Sequence, residues 1–158
     1  MCDIAARTVS RHYEAGRWVM RVLRASIGPQ DRPSPVVVHE SERPAERDDR
    51  MSGVTWRTLV SGDRVPTSQL TVGVAELDPH GCTPRPHRHA IAETYYVLSG
   101  TGVLTIDGTT SPARPGTAAF IPPGAWHVLT NQGSRTLRVL YVLAADAFED
   151  VVYEFPDA

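Results

Sequence analysis

The 158-residue sequence contains no lysine, because all sixteen of its basic residues are arginine. Covalent chemistry that needs a lysine amine, such as Schiff-base formation or pyridoxal catalysis, is therefore excluded. Acidic residues slightly outnumber basic ones, and the net charge is −2. The chain thus lacks the positive charge that a nucleic-acid partner would require, and we expect none.

Cysteine is scarce, with only Cys2 and Cys82, and neither belongs to a CxxC zinc or redox motif. A disulfide framework is not expected, and a reducing compartment, the cytoplasm, fits best. The longest apolar run, residues 139–145, is far shorter than a membrane span, and the first residues lack the apolar stretch of a signal peptide. The sequence therefore predicts a cytoplasmic protein without a membrane partner.

The composition of the chain changes near residue 50. Arginines recur through residues 1–26 at spacings that share one helical face, with apolar residues roughly opposite, which predicts a basic amphipathic helix interrupted at Gly16. Residues 28–49 are rich in proline and charge and predict an irregular linker. We expect an N-terminal extension over residues 1–50 and a β-barrel domain over residues 51–158.

Short apolar runs separated by turn residues dominate from residue 54 onward. Residues 103–106 lead into Asp107-Gly108, a strong hairpin signal. Further runs at 118–121, 126–129, 137–143 and 151–155 complete a series without an intervening helical pattern. This predicts an all-β antiparallel sandwich or barrel. From Asp146 onward five acidic residues and no basic residue predict a solvent-exposed edge or tail.

Four side chains in the middle of the chain can act as metal ligands. His87 and His89 are two residues apart, so on a strand both rings point to the same face. Glu93 follows four residues later, and a neighbouring strand of a barrel can bring His127 to the same place. Three imidazoles and one carboxylate suit divalent first-row metals and leave coordination positions open, as catalytic sites do.

The spacing around these ligands resembles that of the cupin superfamily. The pattern G-x5-H-x-H-x3-E-x6-G matches Gly81–Gly100, and the pattern G-x5-P-x-G-x2-H-x3-N matches Gly116–Asn131. The resemblance implies a double-stranded β-helix, or jelly-roll barrel, with the helical and irregular extension before it. It also implies one divalent metal ion per subunit (Fe, Mn, Ni or Zn) held by the four ligands, and a homodimer.

Tyr95 lies two residues after Glu93 and is the nearest phenol for proton transfer. Cupins that cleave dimethylsulfoniopropionate carry a similar His-x-His-x3-Glu-x-Tyr arrangement and use the tyrosine as a base. We therefore predict Tyr95 and Glu93 as catalytic residues; the alternative for Tyr95 is an aromatic side chain that only packs in the barrel.

The resemblance leads to two hypotheses about function. The first is a mononuclear metal-dependent enzyme acting on a small organic molecule, as a dioxygenase or as a non-redox lyase, isomerase or cyclase. The second is a non-catalytic cupin that binds a metal or a small ligand for sensing or regulation. The open metal positions favour the enzyme, but the same ligands serve many reactions, so the fold does not choose among them.

Overall fold

The computed structural model describes residues 7–14, 17–24, 33–79 and 85–156. The contacts divide the chain after Ser34 into two units. In the first unit, strands β1 (Arg7–Glu14) and β2 (Arg17–Arg24) form an antiparallel pair, with Arg7 opposite Arg24 and Glu14 opposite Arg17.

These two strands stand where the sequence analysis predicted an amphipathic helix. Residues four apart share a face on a strand as well as on a helix, so the arginine spacing did not distinguish the two. The β-branched and aromatic residues of both segments, such as Val9, Tyr13 and Val22, favour a strand. The predicted break at Gly16 and the start of the predicted linker lie outside the described residues.

The second unit contains two antiparallel sheets, and the predicted all-β jelly-roll fold is confirmed. The larger sheet has the strand order β3-β4-β10-β5-β8 and the smaller one the order β7-β6-β9. In chain order the strands are β3 (Val54–Val60), β4 (Thr71–Leu77), β5 (Glu93–Ser99), β6 (Gly102–Ile106), β7 (Thr109–Ala113), β8 (Ala118–Ile121), β9 (His127–Asn131) and β10 (Leu137–Leu143).

Alternating burial along the strands places the core between the two sheets. Every second residue of β10 is buried from Leu137 to Leu143, and β9 alternates in the same way. One buried cluster joins residues of both sheets: Leu77, Val97, Leu104, Leu129, Leu137 and Val139. The predicted hairpin is confirmed between β6 and β7, where Asp107 and Gly108 have φ of 45° and 79°, as a tight two-residue turn requires.

Residues 35–50 fold with the barrel, although the sequence analysis assigned them to the extension. Two 3-10 turns, Glu40–Glu42 and Asp49–Met51, flank a bridge between Glu46 and Trp56 of β3. Arg138 of β10 holds Glu40 through two contacts of 2.7 Å. These charged contacts explain why a charge-rich segment that looked like a linker lies along the sheet.

The C-terminal segment also packs more closely than its acidic composition suggested. After a 3-10 turn (Phe148–Asp150), residues 151–156 pass beside the segment that carries His87. The sequence predicted a strand over residues 151–155. Within these residues the structure has a single β-bridge, between Glu154 and Arg88. Val151 is buried, so this segment covers part of the barrel.

Candidate metal centre

Backbone pairing across the barrel brings the four predicted ligands together. His87 and His127 face each other in an antiparallel bridge, with backbone N–O distances of 3.0 and 2.8 Å. Glu93 is the first residue of β5 in the larger sheet, and His127 is the first residue of β9 in the smaller sheet. The candidate site therefore lies where the two sheets approach each other.

The four side chains form a compact, buried donor cluster. One ligand atom from each of His87, His89, Glu93 and His127 lies within 4.8 Å of the others, and all four residues are buried. Such a cluster of three imidazoles and one carboxylate can hold a divalent metal ion, and its donor types are compatible with Fe, Mn, Ni or Zn.

Backbone carbonyl groups orient all three imidazole rings in the same way. The Nδ1 atoms of His87, His89 and His127 lie 3.2, 2.9 and 2.9 Å from the carbonyl oxygens of Arg85, Ile91 and Ala125. A carbonyl oxygen can only accept, so this network places a proton on Nδ1 of each ring and turns the Nε2 atoms toward the cluster. His89 Nε2 lies 3.1 Å from Glu93 Oε2. Metal-binding histidines are held in this manner.

The electrostatics of the cluster keep two of its ligands, His87 and Glu93, in metal-binding form. Burial, followed by the neighbouring His127, lowers the pKa of His87 from 6.5 to about 4, so the ring is neutral at pH 7. Burial alone would raise the pKa of Glu93, but the neighbouring imidazoles of His127 and His89 lower it below its usual value. Glu93 is therefore ionised. Burial opposes protonation of His89, but its bond to Glu93 raises the pKa of the ring overall.

One buried nitrogen indicates that the cluster is built for a further group. His127 Nε2 lies 3.2 Å from Glu93 Oε2, yet it makes no hydrogen bond within the part of the chain that the structure describes. Buried polar atoms without partners are rare, and each requires an explanation. A metal ion at the centre of the cluster would satisfy this lone pair, so the residues present fit a metal.

A cavity opens beside the cluster and is lined mainly by aliphatic and aromatic side chains. His87 and Glu93 form one wall of the cavity. The space that the centres of water molecules can occupy in the cavity is about 60 Å³. The aromatic walls are Trp56, Tyr95, Tyr141, Phe148 and Tyr153.

The structure places the predicted catalytic candidates, Tyr95 and Glu93, on the same cavity. Burial, together with the charge of Glu93, raises the pKa of Tyr95 well above its usual value, so the phenol keeps its proton at neutral pH. Its ring centre lies 6.3 Å from that of His127.

Two further tyrosines of the site were missed by sequence reasoning. Tyr153, in the segment predicted to be solvent-exposed, has its ring centre 5.2 Å from that of His87 and 5.7 Å from that of His89. Tyr141 lies directly opposite Tyr95 in the pairing of β10 with β5. The alternation of β10 signals that Tyr141 faces inward, but no local signal brings the C-terminal segment back to the histidines.

The arginines beside the ligands do not contribute to the cavity. Arg88 contacts Glu154 at 2.7 Å and lies over the Trp126 ring at 4.8 Å. Arg85 donates to the Pro156 carbonyl at 3.3 Å. Cys82 and Gly81 lie outside the described residues.

Comparison with known proteins agrees with the fold and the cluster. A family model described as a cupin domain matches residues 73–143. The chain is therefore a cupin-domain protein. Two cupin structures, 21% and 18% identical with TM-scores of 0.63 and 0.60, share the fold.

Among curated relatives of this cupin is the dimethylsulfoniopropionate lyase DddW of Ruegeria pomeroyi, which is 41% identical over 102 residues. The match covers 65% of this chain and spans 66% of the length of that lyase, slightly less than two thirds.

Two solved structures share the fold over most of their length. The polyketide cyclase RemF from Streptomyces resistomycificus is 26% identical, with a TM-score of 0.67, over 79% of this chain and 87% of that chain. A predicted oxalate decarboxylase from Thermotoga maritima is 29% identical, with a TM-score of 0.62, over 70% of this chain and 99% of that chain. Among the described residues, no helix is long and apolar enough to cross a membrane.

Proposed function

We propose that this cupin is a metal-dependent lyase that cleaves dimethylsulfoniopropionate, or a closely similar small carboxylate, by β-elimination. The observation that carries the proposal is the juxtaposition of Tyr95 and the buried cluster of three imidazoles and one carboxylate on one small cavity. The 41% identity to a dimethylsulfoniopropionate lyase supports this reaction over the other reactions of the family.

The size of the cavity favours a small substrate. Space for the centres of water molecules is about 60 Å³, which suits a compact molecule better than a polyketide chain. The walls are mainly apolar and aromatic, with Glu93 as the one charged group among the described lining residues. Aromatic faces attract cations, and the sulfonium group of such a substrate is a cation.

In this proposal, the Nε2 atoms of His87, His89 and His127 and the carboxylate of Glu93 would hold the metal. A divalent ion bound there would supply positive charge that polarises the substrate and lowers the pKa of nearby hydroxyl groups. Tyr95, once deprotonated, would take the proton from the carbon next to the substrate carboxylate. The electron pair of that C–H bond forms the new C=C bond, the C–S bond breaks, and dimethyl sulfide leaves.

The test is formation of dimethyl sulfide by protein loaded separately with Mn, Fe, Ni or Zn, measured by headspace gas chromatography. We expect Tyr95→Phe to lower kcat roughly 10²- to 10⁴-fold, the usual contribution of general acid–base catalysis. Tyr96→Phe is the matched control, because Tyr96 is exposed and does not line the cavity. The absence of product with all four metals, or full activity of Tyr95→Phe, would contradict the proposal.

The second candidate is the non-catalytic binding protein considered in the sequence analysis. The mainly apolar lining of the cavity, in which Glu93 is the one charged group among the described residues, suits binding without chemistry as well. If metal-loaded protein binds dimethylsulfoniopropionate in calorimetry but forms no product, this candidate replaces the lyase.

The metal's identity, the homodimer and the cytoplasmic location stay predictions.

A further inference from the structure

The cavity beside the metal cluster offers few groups that could bind an oxygen atom of a substrate. The polar residues among its described lining are Trp56, His87, Glu93, Tyr95, Tyr141 and Tyr153. Three of them already have a role in the proposed function, because His87 and Glu93 belong to the metal cluster and Tyr95 is the proposed base. A substrate oxygen must therefore find its donor among the other three.

These three residues differ in whether their polar atom is free to bind a ligand. The indole nitrogen of Trp56 is fully buried, so a ligand does not reach it. The Tyr141 hydroxyl lies 3.1 Å from Thr58 Oγ1, and this buried pair satisfies both groups. The Tyr153 hydroxyl has no hydrogen-bond partner within the described residues, and it is not among their fully buried unpaired atoms. Its oxygen therefore keeps surface that a ligand can reach.

The backbone holds Tyr153 against the metal cluster. Glu154, the next residue, exchanges two backbone hydrogen bonds with Arg88, at 2.9 and 3.0 Å. Arg88 lies between the two ligands His87 and His89 in the chain. The ring centre of Tyr153 is consequently 5.2 Å from that of His87 and 5.7 Å from that of His89. A side chain fixed at this distance can contact a molecule that is bound at the cluster.

The electrostatics place the Tyr153 hydroxyl on the cavity side of the ring. Tyr153 lines both the cavity and a groove outside it that contains Asp48 and Arg50. Burial, followed by electrostatic repulsion from Glu93 and Tyr141, raises the pKa of Tyr153. Glu93 and Tyr141 line the cavity but not the groove. The phenol is thus removed from bulk water on the cavity side and keeps its proton as a hydrogen-bond donor.

We propose that Tyr153 orients the substrate, with its hydroxyl donating a hydrogen bond to one oxygen of the substrate carboxylate. An ionised carboxylate only accepts, and a hydrogen bond to it is about twice as strong as one between neutral groups. No arginine lines the cavity among the described residues, so no side-chain cation competes for this oxygen. The inference rests on the proposed function, which supplies the carboxylate.

The test compares the binding of two probes to protein saturated with Zn²⁺, measured by calorimetry. The probes are 3-(trimethylammonio)propionate and trimethylpropylammonium, which share the cation, but only the first has a carboxylate. Tyr153→Phe keeps the ring and removes the hydroxyl. We expect it to weaken binding of the carboxylate probe roughly 10- to 100-fold, the effect of losing a hydrogen bond to a charged group. Its affinities for the oxygen-free probe and for Zn²⁺ should stay unchanged.

Tyr96→Phe is the matched control, because Tyr96 is exposed and does not line the cavity. It loses the same hydroxyl and should bind both probes as the unaltered protein does. The affinity for Zn²⁺ separates a direct role of Tyr153 from an indirect one through the histidines that its ring contacts. A fall in Zn²⁺ affinity that accounts for the weaker probe binding of Tyr153→Phe would overturn the inference.

The inference is also overturned if the unaltered protein binds the carboxylate probe no more tightly than the oxygen-free probe, or if Tyr153→Phe binds the carboxylate probe as tightly as the unaltered protein does. Its failure is distinct from failure of the lyase proposal. Formation of dimethyl sulfide with an unchanged KM in Tyr153→Phe would refute the role of Tyr153 alone. A preference for the carboxylate probe that depends on the Tyr153 hydroxyl, without product, would refute the lyase reaction alone.

Discussion

Acid should destabilise the metal-free protein chiefly through His87. This ring is 6% exposed, and burial followed by the neighbouring His127 lowers its pKa to about 4. In the unfolded chain the ring has its ordinary pKa of about 6.5. Between these two values the unfolded state binds a proton that the folded state does not. The free energy of unfolding must therefore fall as the pH is lowered through this window.

The pKa difference of His87, from 6.5 to about 4, sets the size of the effect. At about 1.4 kcal/mol for each pH unit, it amounts to roughly 3 kcal/mol between pH 7 and pH 4. Two other groups of the cluster, Glu93 and His89, also have shifted pKa values, but they change the free energy of unfolding mainly at the acidic and the neutral end of this pH range. The lowered pKa of Glu93 removes stability only as the pH falls below about 4.5, and the raised pKa of His89 removes it as the pH rises above about 6.5.

Urea unfolding of chelator-treated protein at several values between pH 5 and pH 6.5 would measure this slope. We expect His87→Gln to flatten it, because glutamine is polar but does not titrate. His39→Gln is the control, since His39 is exposed and far from the cluster in sequence. If His87→Gln loses stability as steeply as the unaltered protein, the assignment of the slope to His87 is incorrect.

Three further outcomes follow from the described residues. Added Zn²⁺ at a hundred times its Kd should raise the free energy of unfolding, measured in urea, by about 2.7 kcal/mol. His127→Ala should abolish this increase, whereas the control His39→Gln should show the full increase. Gly73→Ala should cost about 1–3 kcal/mol by overpacking, because a new Cβ would lie 2.2 Å from the Tyr141 hydroxyl oxygen, and an unchanged melting midpoint would contradict this. Asn131→Ala should cost about 2 kcal/mol or more, because the Asn131 amide nitrogen lies 2.8 to 3.1 Å from three backbone carbonyls; Asn131→Asp would show whether the lost donor is the cause.

Much of the barrel was predictable because its signals are local. Asp107-Gly108 specifies a tight turn by its own backbone preferences, and the structure has it there. The alternation of β10 sets which residues face the core without reference to its partners. The same local reasoning predicted a helix where the structure has the strands Arg7–Glu14 and Arg17–Arg24, because arginines four apart fit both periods.

The candidate site, too, was predictable only in part. The ligand spacings identified His87, His89, Glu93 and His127, and the structure places their donor atoms within 4.8 Å. Local pattern gave no indication that the acidic C-terminal segment would place the ring of Tyr153 beside those of His87 and His89. That contact depends on the bridge between Arg88 and Glu154, two residues far apart in the chain.

Residue types at fixed short spacings were enough to predict the cupin resemblance, the jelly-roll class and the four possible metal ligands. The surroundings of these ligands became visible only in the folded chain: the aromatic walls of the cavity, the carbonyl groups that orient the three imidazoles, and the unpaired indole N–H of Trp56. These features arise from contacts between the two sheets and the returning C-terminal segment. Burial and unmet hydrogen bonds are properties of such long-range contacts, and no spacing along the chain encodes them.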